Sequence, residues 1–165
     1  MTKSDLRKEL RAARKAHVAA LPETILGLLF RQPPAPLLKL IPADATIGIY
    51  HAKAAEAPTA RYAVYFHEAG HDLAMPHFSS RTGSMQFRTF SDPYGESDLE
   101  TGPFGLLQPS DDLYEIVPEV LFVPLVGFTA DCQRLGQGGG HYDRWLADHP
   151  DSLTIGLAWD SQLCD

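Results

Sequence analysis

The chain has 165 residues, 44% of them hydrophobic, and a net charge of −7. That length suits one domain with a buried core, and the negative balance argues against general nucleic-acid affinity. The sequence holds no apolar run of about 18 residues that would mark a membrane span, and its basic start lacks the apolar region of a secretory signal. Cys132 and Cys164 are too few for a disulfide framework or a metal pair. A reducing cytoplasm is the expected compartment, and no internal repeat is visible.

In chain order, residues 3–20 read as a helix capped by Ser4, with Asp5 in its first turn. Leu6, Leu10 and Ala13 form a narrow apolar stripe at helical spacing. Lys3, Arg7, Arg11 and Arg14 share the period on another face, which is either a solvated basic face or a cationic row facing an anionic ligand. Residues 1–17 carry six Lys and Arg against two acids, a balance of +4, so the remainder carries −11. Pro22 opens a second helix over roughly 23–31, and Gln32-Pro33-Pro34-Ala35-Pro36 ends it as a loop.

Thr46–Tyr50 reads as a short buried strand. Residues 51–58 form a loop containing Glu56. Residues 59–69 suit a helix closed by Gly70, and Asp72–Pro76 is the next strand. Residues 79–85 are turn-like, and Met85–Phe90 alternates as a strand. Residues 91–112 are polar and rich in Gly, Pro and Asp, so a long functional or mobile loop is expected. Val117–Val126 is the most apolar strand candidate. A helix over 141–148 and a final strand over 154–159 complete the pattern. Strands alternating with helices indicate an α/β fold with a largely parallel sheet.

The segment Arg134-Leu135-Gly136-Gln137-Gly138-Gly139-Gly140-His141-Tyr142-Asp143 holds four of the thirteen glycines in five residues. It lies between an apolar run, Val120–Val126, and a helix start. A strand, a glycine loop and a helix N-terminus are the parts of an anion cradle. The same letters also suit a tight crossover that binds nothing, since glycine-rich matches are weak signals.

His67-Glu68-Ala69-Gly70-His71 matches the H-E-x-x-H pattern of zinc proteases. That chemistry needs both histidines on one face of a continuous helix and a third ligand. Gly70 interrupts the helix, and His77, the nearest third candidate, lies across a strand and a proline. A helix C-terminus explains the motif. His17, His51 and His149 have no visible partners and read as surface residues.

Four blocks bring a family into view: Lys3-Ser4-Asp5-Leu6-Arg7 with Arg11 and Arg14; Gly48-Ile49-Tyr50 followed by Glu56; Gly102-Pro103-Phe104-Gly105-Leu106-Leu107-Gln108-Pro109; and Val123-Pro124 through Gly127-Phe128 and Arg134-Leu135-Gly136 to Tyr142-Asp143, with Ile155–Gln162 after it. In order and spacing, the chain resembles the 5-formyltetrahydrofolate cyclo-ligase (5,10-methenyltetrahydrofolate synthetase) family over residues 1–165. The resemblance implies a single-domain three-layer α/β sandwich, with a largely parallel central sheet and helices on both faces. It implies a ligase that forms a C–N bond, converting 5-formyltetrahydrofolate to 5,10-methenyltetrahydrofolate with ATP as co-substrate and Mg²⁺ as cofactor. Implied ATP-binding residues are Lys3, Ser4, Asp5, Leu6 and Arg7, with Arg134, Leu135, Gly136, Gln137, Gly138, Gly139, Gly140, His141 and Tyr142. Arg134 and Tyr142 are the implied catalytic pair, Glu56 and Tyr142 the folate contacts, and Asp143 the metal ligand. The expected partners are the folate and ATP, with no nucleic acid or membrane, in a monomer or weak homo-oligomer. Taken without the resemblance, Glu56 also reads as an exposed loop acid and Tyr142 as a core aromatic.

The chain departs from the family pattern in places. Gln137 stands where Arg or Lys is common, His141 where Tyr is usual, and Gln108 where Glu is frequent. Members usually continue by about 20–30 residues past the point where this sequence stops, and that tail carries a further acidic residue linked to Mg²⁺. The expectation is therefore a sandwich with its C-terminal edge truncated, and Asp160 is a weak substitute for the missing acid. A non-catalytic folate- or nucleotide-binding relative is the second reading, and another ATP-dependent phosphotransferase the third.

Overall fold

The computed structural model describes residues 1–164. In chain order the elements are α1 (Lys3–Ala20), α2 (Glu23–Leu26), α3 (Ala35–Leu38), β1 (Ile47–Gly48), α4 (Ala60–Glu68), β2 (Leu73–His77), β3 (Gln86–Phe90), β4 (Leu99–Thr101), β5 (Leu107–Pro109), β6 (Val120–Val123), β7 (Gly127–Phe128), β8 (Arg134–Leu135), α5 (His141–Asp148) and β9 (Leu153–Gly156), ending in a 3-10 turn at Asp160–Gln162. Five strands form the central sheet in the order β3-β2-β1-β6-β9. All its pairings are parallel except β2 with β3.

Period-two alternation along the strands decides which helix covers which face. Ile47, Leu73, Met75, Val120 and Phe122 point to one side and pack with Tyr62, Ala63 and Phe66 of α4. Ala74, Phe87, Leu121 and Val123 point to the other and pack with Trp145 of α5. The expected α/β sheet with a helix on each face is therefore present. Burying Phe66 and Phe122, both fully enclosed, contributes on the order of 1.5–3 kcal/mol each.

Several boundaries differ from expectation. The cap of α1 is Thr2, whose side chain accepts from the Asp5 backbone N–H while Asp5 accepts from Thr2 N–H, a reciprocal box; Ser4 is already helical. Ala13 is exposed and Arg14 buried, so the stripe that α1 buries is partly basic. The second helix stops at Leu26, and the proline-rich stretch read as loop starts α3 at Ala35, with Pro36 in its first turn, where a missing N–H costs nothing. The long polar loop contains the antiparallel β4–β5 hairpin, paired from Leu99–Pro109 to Thr101–Leu107. The apolar run after residue 117 is strand only over Val120–Val123, and Arg134–Leu135 pairs with Gly127–Phe128 as a separate hairpin. The final strand runs over 153–156 rather than 154–159.

The helix carrying the H-E-x-x-H letters ends at Glu68, and Gly70 takes φ +93°. The two histidines do not share a continuous helix, and His71 Nδ1 instead lies 2.7 Å from the Ala45 carbonyl. Two histidines read as surface residues are ring partners: His17 lies 5.4 Å from Trp159, and His149 stacks on Trp145 at 4.0 Å.

Gly48 lies where strand, helix loop and neighbour meet. An added Cβ would lie 2.8 Å from Leu121 Cδ1 and 2.9 Å from the rigid ring of Pro118. Gly48→Ala is expected to destabilise the fold by about 1–3 kcal/mol, read as a lowered denaturant midpoint at unchanged slope.

Candidate functional site

A cavity of about 500 Å³ opens at the C-terminal ends of β1, β2 and β6. Its volume is that of a small-molecule site. One end is formed by the loop after β1, which carries Glu56. The opposite end is formed by the glycine loop, Gly136–Gly140, and the start of α5.

The glycine loop is shaped from outside by α1. Arg7 Nε–H donates to the Gly136 carbonyl at 2.8 Å. Arg11 Nη2–H donates to the Gln137 carbonyl at 3.1 Å and to Gln137 Oε1 at 2.8 Å. Arg14, buried, reaches the Leu125 carbonyl at 3.4 Å. The basic row is thus not a free row of cations, because three of its four members dock on backbone carbonyls, although Lys3 and Arg11 remain exposed. Lys3 and Ser4 are exposed, Asp5 serves the helix cap, and Leu6 is half-buried. Of the first-helix set only Arg7 lines the cavity, and Leu135 sits in β8 behind it.

Gly138 and Gly140 take φ +112° and +70°, backbone that a side chain would strain. Gly140 leads into α5 without a side-chain cap, so the first-turn N–H groups of α5 face the cavity end unpaired within the helix. Arg134 is 17% exposed; its Nη2 pairs with Asp143 Oδ1 at 2.5 Å, its Nη1 reaches the Pro124 carbonyl at 3.4 Å, and its guanidinium lies 5.8 Å from the Tyr142 ring centre. Asp143 is 77% exposed, so its second oxygen is open to solvent.

At the other end Glu56 is 8% exposed, against the reading of an exposed loop acid. Its carboxylate accepts from the Lys53 N–H at 2.7 Å. The loop around it is tied down: Tyr50 O–H donates to the Ala57 carbonyl and Thr59 O–H to the Tyr50 carbonyl. Ala55 adopts φ +68°, and Trp159 Nε1–H donates to its carbonyl at 3.1 Å. Gln162 fastens the chain after β6 in the same way, donating to the Leu125 and Val126 carbonyls. Burial pushes the phenols of Tyr50 and Tyr142 well above the ordinary range, and the negative charge of Glu56 pushes both further. Both hydroxyls therefore stay protonated.

Part of the cavity wall is apolar, formed by residues to which sequence reading assigned no site role, although Met75 lies in an expected strand and Phe104 and Leu106 in the Gly102–Pro109 block. Met75 and Phe78 come from β2 and its end, Phe104 and Leu106 from the β4–β5 turn. Phe78, Phe104 and His141 meet ring to ring at 4.8–5.6 Å. Burial and Arg144 hold His141 below the usual imidazole range, which keeps it a neutral aromatic. Gln108 locks this wall in place: its Oε1 accepts from the Phe78 N–H at 3.0 Å and its Nε2–H donates to the Phe78 carbonyl at 2.9 Å. Among the described residues one three-donor group lies within reach of a single ion, namely His77, Glu100 and Asp111. There the buried His77 Nε2 already lies 2.8 Å from Asp111 Oδ1. No described helix is long and apolar enough to cross a membrane.

The profile of the 5-formyltetrahydrofolate cyclo-ligase family matches residues 1–165. A 5-formyltetrahydrofolate cyclo-ligase from Escherichia coli K12 is 34% identical over 89 residues, which is 50% of this chain and 47% of that protein. One from Haemophilus influenzae is 33% identical over 73 residues, 41% of this chain and 39% of that protein. The matched stretches thus span under half the length of these curated relatives. A 5,10-methenyltetrahydrofolate synthetase structure from Mycoplasma pneumoniae superposes with a TM-score of 0.70 at 22% identity, covering 100% of this chain and 90% of that one. The Aquifex aeolicus structure gives 0.69 at 22% identity, over 99% and 80%. At that identity the likeness is one of fold.

The coupling of Glu56 to the two phenols is directly measurable. An ordinary tyrosine is half ionised near pH 10; Tyr50 and Tyr142 are expected to remain protonated there. Removing the negative charge in Glu56→Gln favours the phenolates, so both midpoints fall. Tyrosine ring ¹³C shifts followed through alkaline pH check this.

Proposed function

The chain belongs to the 5-formyltetrahydrofolate cyclo-ligase family, and from that premise we propose that it closes 5-formyltetrahydrofolate to 5,10-methenyltetrahydrofolate at the expense of ATP. In this reading the formyl oxygen takes the γ-phosphoryl group, releasing ADP. N10 then attacks the activated carbon and loses its proton, and phosphate departs with the former formyl oxygen. We take residues 1–165 to form a single 5-formyltetrahydrofolate cyclo-ligase-like domain.

The single observation that carries the reading is the meeting of Glu56, Tyr142 and the glycine loop around one cavity. Phosphoryl transfer depends mainly on positioning and charge neutralisation, and the residues suit both. The glycine loop and the first turn of α5 offer backbone N–H donors to a polyphosphate. Arg134 and Arg7 add fixed cations on either side. Asp143 suits Mg²⁺, since a carboxylate oxygen left open at the phosphate end matches that ion's habit of taking one or two carboxylates plus phosphate. When bound there, the ion supplies charge neutralisation of the phosphate oxygens.

The folate end is read from Glu56, Tyr50 and Tyr142. A buried carboxylate accepts hydrogen bonds from the N–H groups of a pterin ring. The protonated Tyr142 stacks against the ring, and its position between Glu56 and Arg134 puts it where the two substrates meet. Met75, Phe78 and Phe104 exclude water, which protects a phosphorylated intermediate from hydrolysis.

Mixing the protein with 5-formyltetrahydrofolate, ATP and Mg²⁺ should give the absorbance of the methenyl product. Folate binding without product would instead support the non-catalytic reading, which the neutral Gln137 in the loop favours. Glu56→Gln is expected to raise KM for the folate at least tenfold and leave KM for ATP within about twofold, since one charge-assisted hydrogen bond is lost at one end only. Asp143→Ala is expected to lower kcat about 100-fold and remove the saturable phase of Mg²⁺ dependence. Steady-state kinetics with each substrate and the metal varied in turn separates the two effects.

A further inference from the structure

We propose that Arg11 of α1 is a positioning residue for anion binding, clasping Gln137 so that consecutive backbone N–H groups of the glycine loop turn towards the polyphosphate. This rests on the nucleotide reading above and deepens it. The contact is two-pronged: one guanidinium nitrogen donates to both the Gln137 carbonyl and Gln137 Oε1. One turn earlier on the same helix, Arg7 holds the Gly136 carbonyl.

The consequence follows from peptide planarity. In a trans peptide the C=O and the next N–H point in opposite directions, and no cis bond occurs here. With the Gly136 and Gln137 carbonyls drawn to α1, the N–H groups of Gln137 and Gly138 face away from it. Neither N–H has a protein partner among the described residues. Gly136, Gln137 and Gly138 line the cavity while Arg11 does not. Arg11 therefore acts through the backbone it orients rather than by touching the ligand. Two successive amides turned one way, followed by a left-handed glycine, make an anion-binding concavity.

Gln137 is the other half of the device. Its neutral side chain brings no charge to the loop, but its amide oxygen gives Arg11 a second acceptor and fixes the guanidinium in one orientation. A glycine loop is otherwise soft, because glycine adopts many backbone conformations at similar energy. The clasp selects the one that presents donors before the anion arrives, which is preorganisation.

The test is calorimetric titration of the full chain with ATP and with inorganic tripolyphosphate, in the absence of folate. The wild type is expected to bind both. Arg11→Ala should weaken both about tenfold, with its unfolding temperature held because Arg11 is exposed. Arg11→Lys should recover part of the loss, since one ammonium reaches one carbonyl. In the wild type, tripolyphosphate should shift the Gln137 and Gly138 amide resonances, and in Arg11→Ala these shifts should shrink. Lys8→Ala, an exposed cation on the same helix, is the control: an equal loss there assigns the effect to net charge and overturns the clasp. Unchanged affinity in Arg11→Ala overturns the clasp and leaves the nucleotide reading standing. A wild type that binds neither anion overturns both.

Discussion

The parallel pairing of Ile47 and Gly48 with Val120 and Leu121 is the constraint on which the site depends. It joins two halves of the sheet that wind in opposite directions. From β1 the chain crosses through α4 to β2 on one side, and from β6 through α5 to β9 on the other. Their helices cover opposite faces. Between β1 and β6 the loops that leave the strand ends must therefore diverge, and an open α/β sheet forms its ligand crevice at such a point. Here one loop carries Glu56 and the other leads to Arg134 and the glycines. The close approach of Gly48 to Leu121 and Pro118 keeps the two strands in that register.

Strand pairing alone leaves both loops free, and elements distant in sequence pin them. The last described turn does so twice: Trp159 holds the Ala55 carbonyl, and Gln162 holds the carbonyls of Leu125 and Val126. The first helix does so through Arg7, Arg11 and Arg14. The first helix and the last described turn thus close on the middle, and the same Leu125 carbonyl receives a donor from each. Arg14 is buried with Nη1 on the Leu125 carbonyl while its Nε finds no partner, so the basic period of α1 runs partly along a face that the fold buries.

The parallel sheet, the helices and the glycine loop were legible because each has a local signal: apolar runs of strand length, helical spacing, and four glycines crowded before a helix; that helices cover both faces came from the resemblance. The β4–β5 hairpin was not legible, because its strands are three residues long and polar, and its order comes from Gln108 bonding to Phe78 some thirty residues away. The role of the basic helix was ambiguous for a related reason. A row of arginines at helical spacing has the same letters whether it meets water, phosphate or carbonyls, and only the tertiary path of residues 125–137 decides. Glu56 was recognised by resemblance; its burial depends on Tyr50, Thr59 and Trp159, none of which is adjacent to it in sequence. Phe104 stood in a block that carried the resemblance but had no stated role, and Phe78 carried no signal of its own, since a lone aromatic is more often core than wall.

The electrostatics of the cavity follow from which groups the fold leaves unpaired. At one end a buried carboxylate sits beside two phenols that burial and the carboxylate hold protonated well above the ordinary range, so the negative charge of that end stays on Glu56. At the other, Arg134 shares its charge with Asp143, Arg7 spends one N–H on a carbonyl, and the rest of the positive potential comes from backbone amides. The proposed ligand pair, a donor-rich ring at one end and a polyanion at the other, would then have one favoured orientation, because reversal would set phosphate against the buried Glu56. The apolar stretch between them raises the penalty by keeping water out. In the proposed reading, orientation is set by charge at the two ends and by shape in the middle, and the overall charge of −7 does not oppose it, since the cations proposed to bear on the anion are those that α1 and β8 hold at the loop.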